Sequence, residues 1–116
     1  MVGAVSVAVD ISPPVTHNTF SAPVAVDRMT DKWVQVIGTA STHTVEIHGS
    51  DDGTHYSVLT GTGTAGAEQL PVNGSIAADG FFQLPQNVGF VKTKKTDADD
   101  AAQVTVLLEE RRAPNT

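Results

Sequence analysis

Residues 45–58 read VEIHGSDDGTHYSV, two runs of alternating apolar and polar residues on either side of Asp52-Gly53. Asp-Gly is a preferred dipeptide of two-residue hairpin turns, so the sequence predicts a β-hairpin with Ser50 opposite His55 and His48 opposite Ser57. In this register one face carries Val45, Ile47, Tyr56 and Val58. The other face carries Glu46, His48, Ser50, His55 and Ser57. Only Leu59 departs from the pattern, so the first face is expected to be buried.

The same two-residue alternation recurs along the chain and predicts an all-β fold. Pro13-Pro14 is expected to end a first strand over residues 4–11, because proline cannot donate to a β-ladder. Further strands are expected at 20–28 (an edge strand or irregular connection containing Pro23), 33–37, 44–48, 56–60, 81–84, 90–95 and 103–109. Short strands at close spacing indicate an antiparallel β-sandwich, jelly-roll or immunoglobulin-like, of about eight strands. Its expected core contains Trp33 or Val36, together with Val45, Ile47, Tyr56, Val58, Phe82, Phe90, Val104 and Val106.

Composition narrows the function classes. The 116 residues carry a formal charge of −6, which disfavours nucleic acid as a direct partner, and contain no cysteine for disulfides or thiolate sites. No apolar run approaches the roughly 20 residues of a membrane span, so no membrane partner is expected. The N-terminus has no basic residue before its apolar stretch, which predicts synthesis in the cytoplasm of the producing cell rather than secretion.

The glycine-rich run GTGTAG at residues 61–66 has the letters of a dinucleotide-binding loop. Pro71 and Asn73-Gly74 follow too soon for the helix that such a site requires, and no acidic residue stands about 20 positions onward to bind a ribose. We interpret the run as a surface loop whose Gly63 and Gly66 contact a neighbouring subunit.

Metal and catalytic sites have few candidates. Four residues have side chains that can bind a metal ion: His43, Glu46, His48 and His55. Strand alternation turns His43 away from the other three. Two alternatives remain: these are solvated polar residues of the sheet, or His48 and His55 bind an ion. Residues 50–54, SDDGT, lack the distal glutamate of a calcium loop and are interpreted as a turn. No nucleophile elbow or shielded Ser-His-Asp arrangement is evident, so neither an enzyme nor a cofactor or bound metal is predicted.

A basic run, Lys92, Lys94 and Lys95, precedes the acidic residues Asp97, Asp99 and Asp100. This segment is expected to be a charged connection that keeps the sheet edge soluble. Lys92 and Lys94 share one strand face and could instead dock an acidic neighbour.

The chain is expected to divide into an extended N-terminal strand or arm (1–14), a sandwich domain (15–110) and a C-terminal tail (111–116). Val5, Val7 and Val9 would make an exposed apolar edge, and Pro13-Pro14 is expected to uncouple the arm from the domain. The arm could pair within its own sheet or be donated to a neighbour, and it is predicted to make contacts between subunits.

Two families show similarity at Trp33-Val34-Gln35-Val36 and at residues 45–56. The second stretch resembles discoidin-type carbohydrate- or lipid-binding sandwiches over about a third of the chain. In layout the chain more fully resembles small β-sandwich accessory virion proteins of tailed bacteriophages, of the capsid decoration type.

The virion resemblance implies a structural protein on the outside of the phage head, made in the host cytoplasm, that reinforces the capsid. Its implied partners are the major capsid protein and copies of itself, as a homo-oligomer on the lattice. The alternative is a carbohydrate-binding or adhesion module of a phage tail or fibre. Loops rich in Gly, Thr and Asp favour recognition by shape and by many copies rather than by one reactive site.

Overall fold

A computed structural model describes residues 4–27, 29, 31–38, 43–61, 69–85, 87–99 and 103–112, of which 4–8, 111 and 112 are described as backbone. The described residues form eight strands and no helix. The strands are β1 (Ala4–Asp10), β2 (Val24–Ala25), β3 (Lys32–Gly38), β4 (Val45–Ser50), β5 (Ser57–Val58), β6 (Gly80–Gln83), β7 (Phe90–Lys95) and β8 (Val104–Arg112). The described residues accordingly contain no helix that is long and apolar enough to span a membrane.

The strands form two four-stranded sheets, one in the order β1-β8-β3-β6 and the other in the order β2-β7-β4-β5. Every pairing within a sheet is antiparallel. The predicted all-β antiparallel sandwich of about eight short strands is therefore confirmed. The predicted edge strand near Pro23 is also confirmed, since β2 lies at the edge of the second sheet.

The core between the sheets is aliphatic. Val34, Val36, Val106 and Leu108 of the first sheet face Val45, Ile47 and Val91 of the second, and all are fully buried. Among the described residues, no aromatic side chain belongs to the buried cluster, and only Phe82 packs against it. Val36 faces inward, whereas Trp33 is half-buried and its indole N–H donates to Asp31 at 2.8 Å.

Five expected core residues are confirmed as buried, namely Val36, Val45, Ile47, Val104 and Val106. The core assignment of Tyr56, Val58 and Phe90 was wrong, because these three residues lie outside the buried cluster and are only half-buried.

The predicted hairpin register was wrong by one residue. His48 pairs with Val58 and Gly49 with Ser57, so the loop between β4 and β5 spans residues 51–56. A two-residue type I′ turn needs positive φ at both central residues, but here Gly53 has a φ of 78° and Asp52 does not have a positive φ. A one-residue shift exchanges the faces of the second strand. Leu59 consequently packs against the core, while Val58 shares the outer face with His48.

The N-terminal strand pairs within its own sheet, because β1 lies beside β8 with Val9 opposite Leu108. The expectation that Pro13-Pro14 uncouples this segment was wrong. Ile11 is 2% exposed; its N–H donates to the carbonyl of Val106 in the first sheet, and its carbonyl accepts from the Thr93 hydroxyl of the second. The prolines end the strand as expected, but the chain crosses between the sheets before it reaches them, at the buried Ile11.

Candidate interaction surface

Strand alternation places two lysines on the outer face of the second sheet. Along β7, Val91, Thr93 and Lys95 are buried, whereas Lys92 and Lys94 point outward and are half-buried. On the neighbouring strand β4, His48 pairs with Lys92 and Glu46 pairs with Lys94. The predicted shared face of Lys92 and Lys94 is therefore confirmed, and it also carries Glu46 and His48.

Two aromatic rings enclose the Lys92 ammonium. Its Nζ lies 4.0 Å from the ring centroid of Phe20 and 4.2 Å from that of Tyr56. The Phe20 ring meets the His48 ring edge-to-face, with centroids 4.9 Å apart. We call this surface the lysine–aromatic face; its residues are Phe20, Glu46, His48, Tyr56, Lys92 and Lys94.

Phe20 reaches this face because residues 18–21 run along β7. The N–H of Asn18 donates to the carbonyl of Lys95 and that of Ser21 to the carbonyl of Thr93, both at 2.8 Å. Asn18 itself has a φ of 59°, a left-handed conformation that asparagine tolerates better than most residues. The Phe20 side chain remains 37% exposed.

The charges on the lysine–aromatic face are unevenly paired. Glu46 accepts from His48 Nε2 at 2.9 Å and lies 3.7 Å from Lys94 Nζ. Among the described residues, no carboxylate lies within ion-pair distance of Lys92. An aromatic ring attracts an ammonium group without neutralising it. The face therefore presents one lysine whose charge is balanced locally and one whose charge is not.

Lys95 does not belong to an exposed basic edge, and its expected solubilising role was wrong. Its side chain is 1% exposed and its ammonium donates to the Asp97 carboxylate and, at 2.6 Å, to the carbonyl of Asp99. The second Asp97 carboxylate oxygen accepts from the N–H of Thr44 at 2.8 Å. Burial opposes ionisation of Asp97, but the hydrogen bonds from Lys95, Thr44 and Asp99 outweigh it and lower its pKa. Lys95 and Asp97 therefore form a buried ionic clamp at the start of the connection after β7.

Hydrogen bonds to Asp52 organise the loop between β4 and β5. This agrees with the interpretation of residues 50–54 as a turn rather than a calcium loop. The Asp52 carboxylate accepts from the N–H groups of Thr54 and His55 at 2.8 and 2.9 Å and from the Ser50 hydroxyl at 2.9 Å. The His55 N–H bond, followed by the bonds from the His55 ring, the Thr54 N–H and the Ser50 side chain, lowers the pKa of Asp52. These bonds replace the expected two-residue turn and lengthen the loop.

The described part of the chain contains no cluster of three or more potential metal ligands. The ring of His48 bonds Glu46, whereas the ring of His55 bonds Asp52 at 2.8 Å in the exposed loop. His43 is buried on the opposite side, as alternation predicted, and its ring occupies the space above Gly38.

Two clefts are lined by residues other than those of the lysine–aromatic face. A cleft of about 320 Å³ is lined by Gln69, Leu70, Gln83 and Leu84 among others. A second, of about 260 Å³, is lined by Ser50, Asp51, Ser57 and Asn87 among others. Neither contains the Phe20, Tyr56 or Lys92 side chain.

The predicted assembly residues fall in three places. Val5, Val7 and Val9 lie in β1, at the edge of the first sheet, and Lys92 and Lys94 lie on the outer face of the second. Gly63 and Gly66 lie outside the described residues. Sequence reasoning missed Phe20 and Tyr56 as partners of Lys92. The phase of β7 places Lys92 and Lys94 on the outer face, but no local pattern identifies the rings that lie beside Lys92.

No protein-family model and no curated protein sequence matches this chain. Among solved structures, the fold is similar to that of the SPBc2 prophage-derived protein YomS, with a TM-score of 0.71 at 13% sequence identity. The alignment covers 97% of this chain and 96% of that one. The two chains therefore share a fold along nearly their full lengths.

Proposed function

We propose that the protein is a non-catalytic structural component of a tailed-phage particle that binds and reinforces the outside of the head. The observation that carries the proposal is the similarity in fold to a prophage-derived protein, which extends over 97% of the chain. The lysine–aromatic face adds a surface of defined charge that could contact a neighbouring subunit. The proposed partners are the major capsid protein and other copies of this chain, without nucleic acid or membrane.

This role needs many modest contacts rather than one reactive site. Each copy would cover part of the lattice, and the repeated contacts would stabilise the shell together even where one contact is weak. The wide β-sheet faces of the sandwich suit such contacts because they offer a rigid backbone and regularly spaced side chains.

Cosedimentation with purified phage heads that lack tails tests this proposal. The full-length protein is expected to pellet with the heads at a saturating ratio and to raise the temperature at which they release DNA. Binding to isolated tails, with no binding to tailless heads, would contradict the capsid role.

The second candidate function is a carbohydrate-binding or adhesion module of a tail or fibre. The observation in its favour is the exposed Phe20 ring beside polar side chains, because sugar rings stack on exposed aromatics flanked by hydrogen-bonding groups. Glycan-array binding that is lost in the Phe20→Ala variant would favour this function. Head binding without glycan binding would favour decoration.

A further inference from the structure

The lysine–aromatic face carries a cation without a counter-ion in the described part of the chain. Glu46, the face's carboxylate, is engaged by His48 at 2.9 Å and by Lys94 at 3.7 Å. Lys92 instead lies between the rings of Phe20 and Tyr56. Because the rings leave its charge in place, Lys92 is the position on this face that attracts an external anion most strongly.

The surroundings of Lys92 favour pairing with a carboxylate. The two rings restrict the lysine side chain, so less conformational entropy is lost when it forms an ion pair. Lys92 is half-buried, and the two rings displace water on their side of its ammonium. A charge pair is stronger where water is partly excluded. The exposed part of Phe20 supplies apolar area beside the charge, which suits a carboxylate on an aliphatic stem.

The shape of the face favours a protein over a small molecule. Small ligands bind mainly in concave pockets, whereas the two clefts described above are lined by other residues. A second copy of this chain would bring its full charge of −6 across a wide interface, which opposes close approach. A short acidic segment meets the same net charge, but its carboxylates can be placed directly at Lys92, where the local attraction is strongest. A neighbour of different sequence with a local acidic segment fits better.

We propose that the lysine–aromatic face docks an acidic segment of a neighbouring protein in the particle. A glutamate or aspartate carboxylate of that segment pairs with Lys92, and its stem packs on Phe20. The identity of the neighbour rests on the proposed function, but the affinity of this face for an acidic peptide does not.

Titration of the ¹⁵N-labelled full-length protein with a hexaglutamate peptide tests the inference. At low salt we expect saturable NMR shifts centred on β7 and on residues 18–21, which are lost at high salt because salt screens exposed charge pairs. Lys92→Gln is expected to weaken binding about tenfold, equivalent to one well-placed charge pair. Lys94→Gln is expected to weaken it less than about threefold, because Glu46 already opposes that charge. Lys92→Arg is expected to retain binding.

A matched pair of aromatic variants provides the control. Phe20 and Phe81 are 37% and 39% exposed, but Phe81 lies on the first sheet. Phe20→Ala is expected to weaken hexaglutamate binding, and Phe81→Ala is expected to leave it unchanged.

In the peptide titrations, three outcomes would overturn the inference: equal losses for Lys92→Gln and Lys94→Gln, loss of binding in Lys92→Arg, or tighter binding of oligogalacturonate than of hexaglutamate. Hexaglutamate binding at the predicted residues without head binding would support the inference and reject the decoration role. Head binding by a Lys92→Gln protein as tight as by the unaltered protein would reject the inference and leave the decoration role standing.

Discussion

At the scale of single residues, the two lysines that follow each other along β7 have opposite environments. Lys94 is half-buried on the outer face, whereas Lys95 is fully buried and contacts Asp97 and Asp99. A buried ammonium is tolerated only where its charge is paired and its hydrogen bonds are satisfied. Asp97 supplies the opposite charge, and the Asp97 carboxylate and the Asp99 carbonyl accept hydrogen bonds from the ammonium. Asp97 also accepts a hydrogen bond from the N–H of Thr44.

Removing the charge of Asp97 should therefore destabilise the protein. Asp97→Asn is expected to lower the free energy of unfolding by about 3 kcal/mol, because Asp97 is the carboxylate that pairs with buried Lys95 among the described residues. Urea denaturation at neutral pH measures this. Asp27→Asn, at an exposed position, is the control and should change stability by less than about 0.5 kcal/mol. Equal denaturation midpoints for the two variants would contradict the clamp.

The same carboxylate should make stability depend on pH. Because the pKa of Asp97 is lower in the folded protein than in the unfolded chain, its ionised form stabilises the fold above the unfolded value of about 4. That contribution is lost as the pH falls from about 4 through the folded pKa. Urea midpoints measured from pH 7 down to pH 2.5 should fall over this acid range. The fall should be shallower in Asp97→Asn, and parallel curves would argue against the assignment.

At the scale of elements, the loop between β4 and β5 controls which residues reach the outer face. Its conformation depends on the Asp52 hydrogen bonds and on Gly53, whose φ of 78° favours glycine. A loop shorter by one residue would turn Leu59 outward and Val58 inward. The surface around Lys92 is thus a consequence of loop geometry as well as of strand pattern.

Substitutions at Gly53 should separate backbone strain from simple loss of flexibility. Gly53→Ala is expected to destabilise the protein by about 1–2 kcal/mol, since a left-handed conformation is unfavourable for alanine. The new Cβ would also lie 3.3 Å from the Phe90 ring. Gly53→Asn should be milder, because asparagine tolerates this conformation. Thermal unfolding followed by circular dichroism compares them, and a larger loss in Gly53→Asn would count against the explanation.

At the scale of the whole molecule, residue 11 connects the two sheets. The N–H of Ile11 donates a hydrogen bond to the carbonyl of Val106 in β8, and its carbonyl accepts one from the Thr93 hydroxyl in β7. Its side chain belongs to the buried cluster. The cluster draws on strands of both sheets, so neither sheet can bury its inner face without the other. We expect the described sandwich to unfold as one cooperative unit.

Two isoleucines provide a matched test of this organisation. Ile11→Ala is expected to lower stability by about 2–5 kcal/mol, the usual range for truncating a buried isoleucine. Ile37→Ala, at a position that is 41% exposed, should change it by much less. Chemical denaturation monitored by Trp33 fluorescence and by circular dichroism measures both variants. Similar effects at the two positions, or separate transitions for the two probes, would contradict a shared core.

The candidate site was predictable only in part. Alternation along β7 is enough to place Lys92 and Lys94 on one face, because that inference needs only the period of a strand. One of the two rings beside Lys92 comes from Phe20, 72 residues earlier in the chain. Such a contact depends on the path of residues 18–21 beside β7, for which the local sequence has no periodic signal.

Local sequence patterns were sufficient to predict short antiparallel strands with Val45, Ile47, Val104 and Val106 on their inner faces, because hydrophobic alternation and turn residues act over a few positions. The outer-face location of Tyr56 and Val58, the burial of Lys95 and the crossing at Ile11 follow from the tertiary fold instead. Each of these depends on register or on a partner distant in sequence. A one-residue difference in a loop, or a carboxylate brought to a buried lysine, changes the environment of a side chain without changing the local pattern around it.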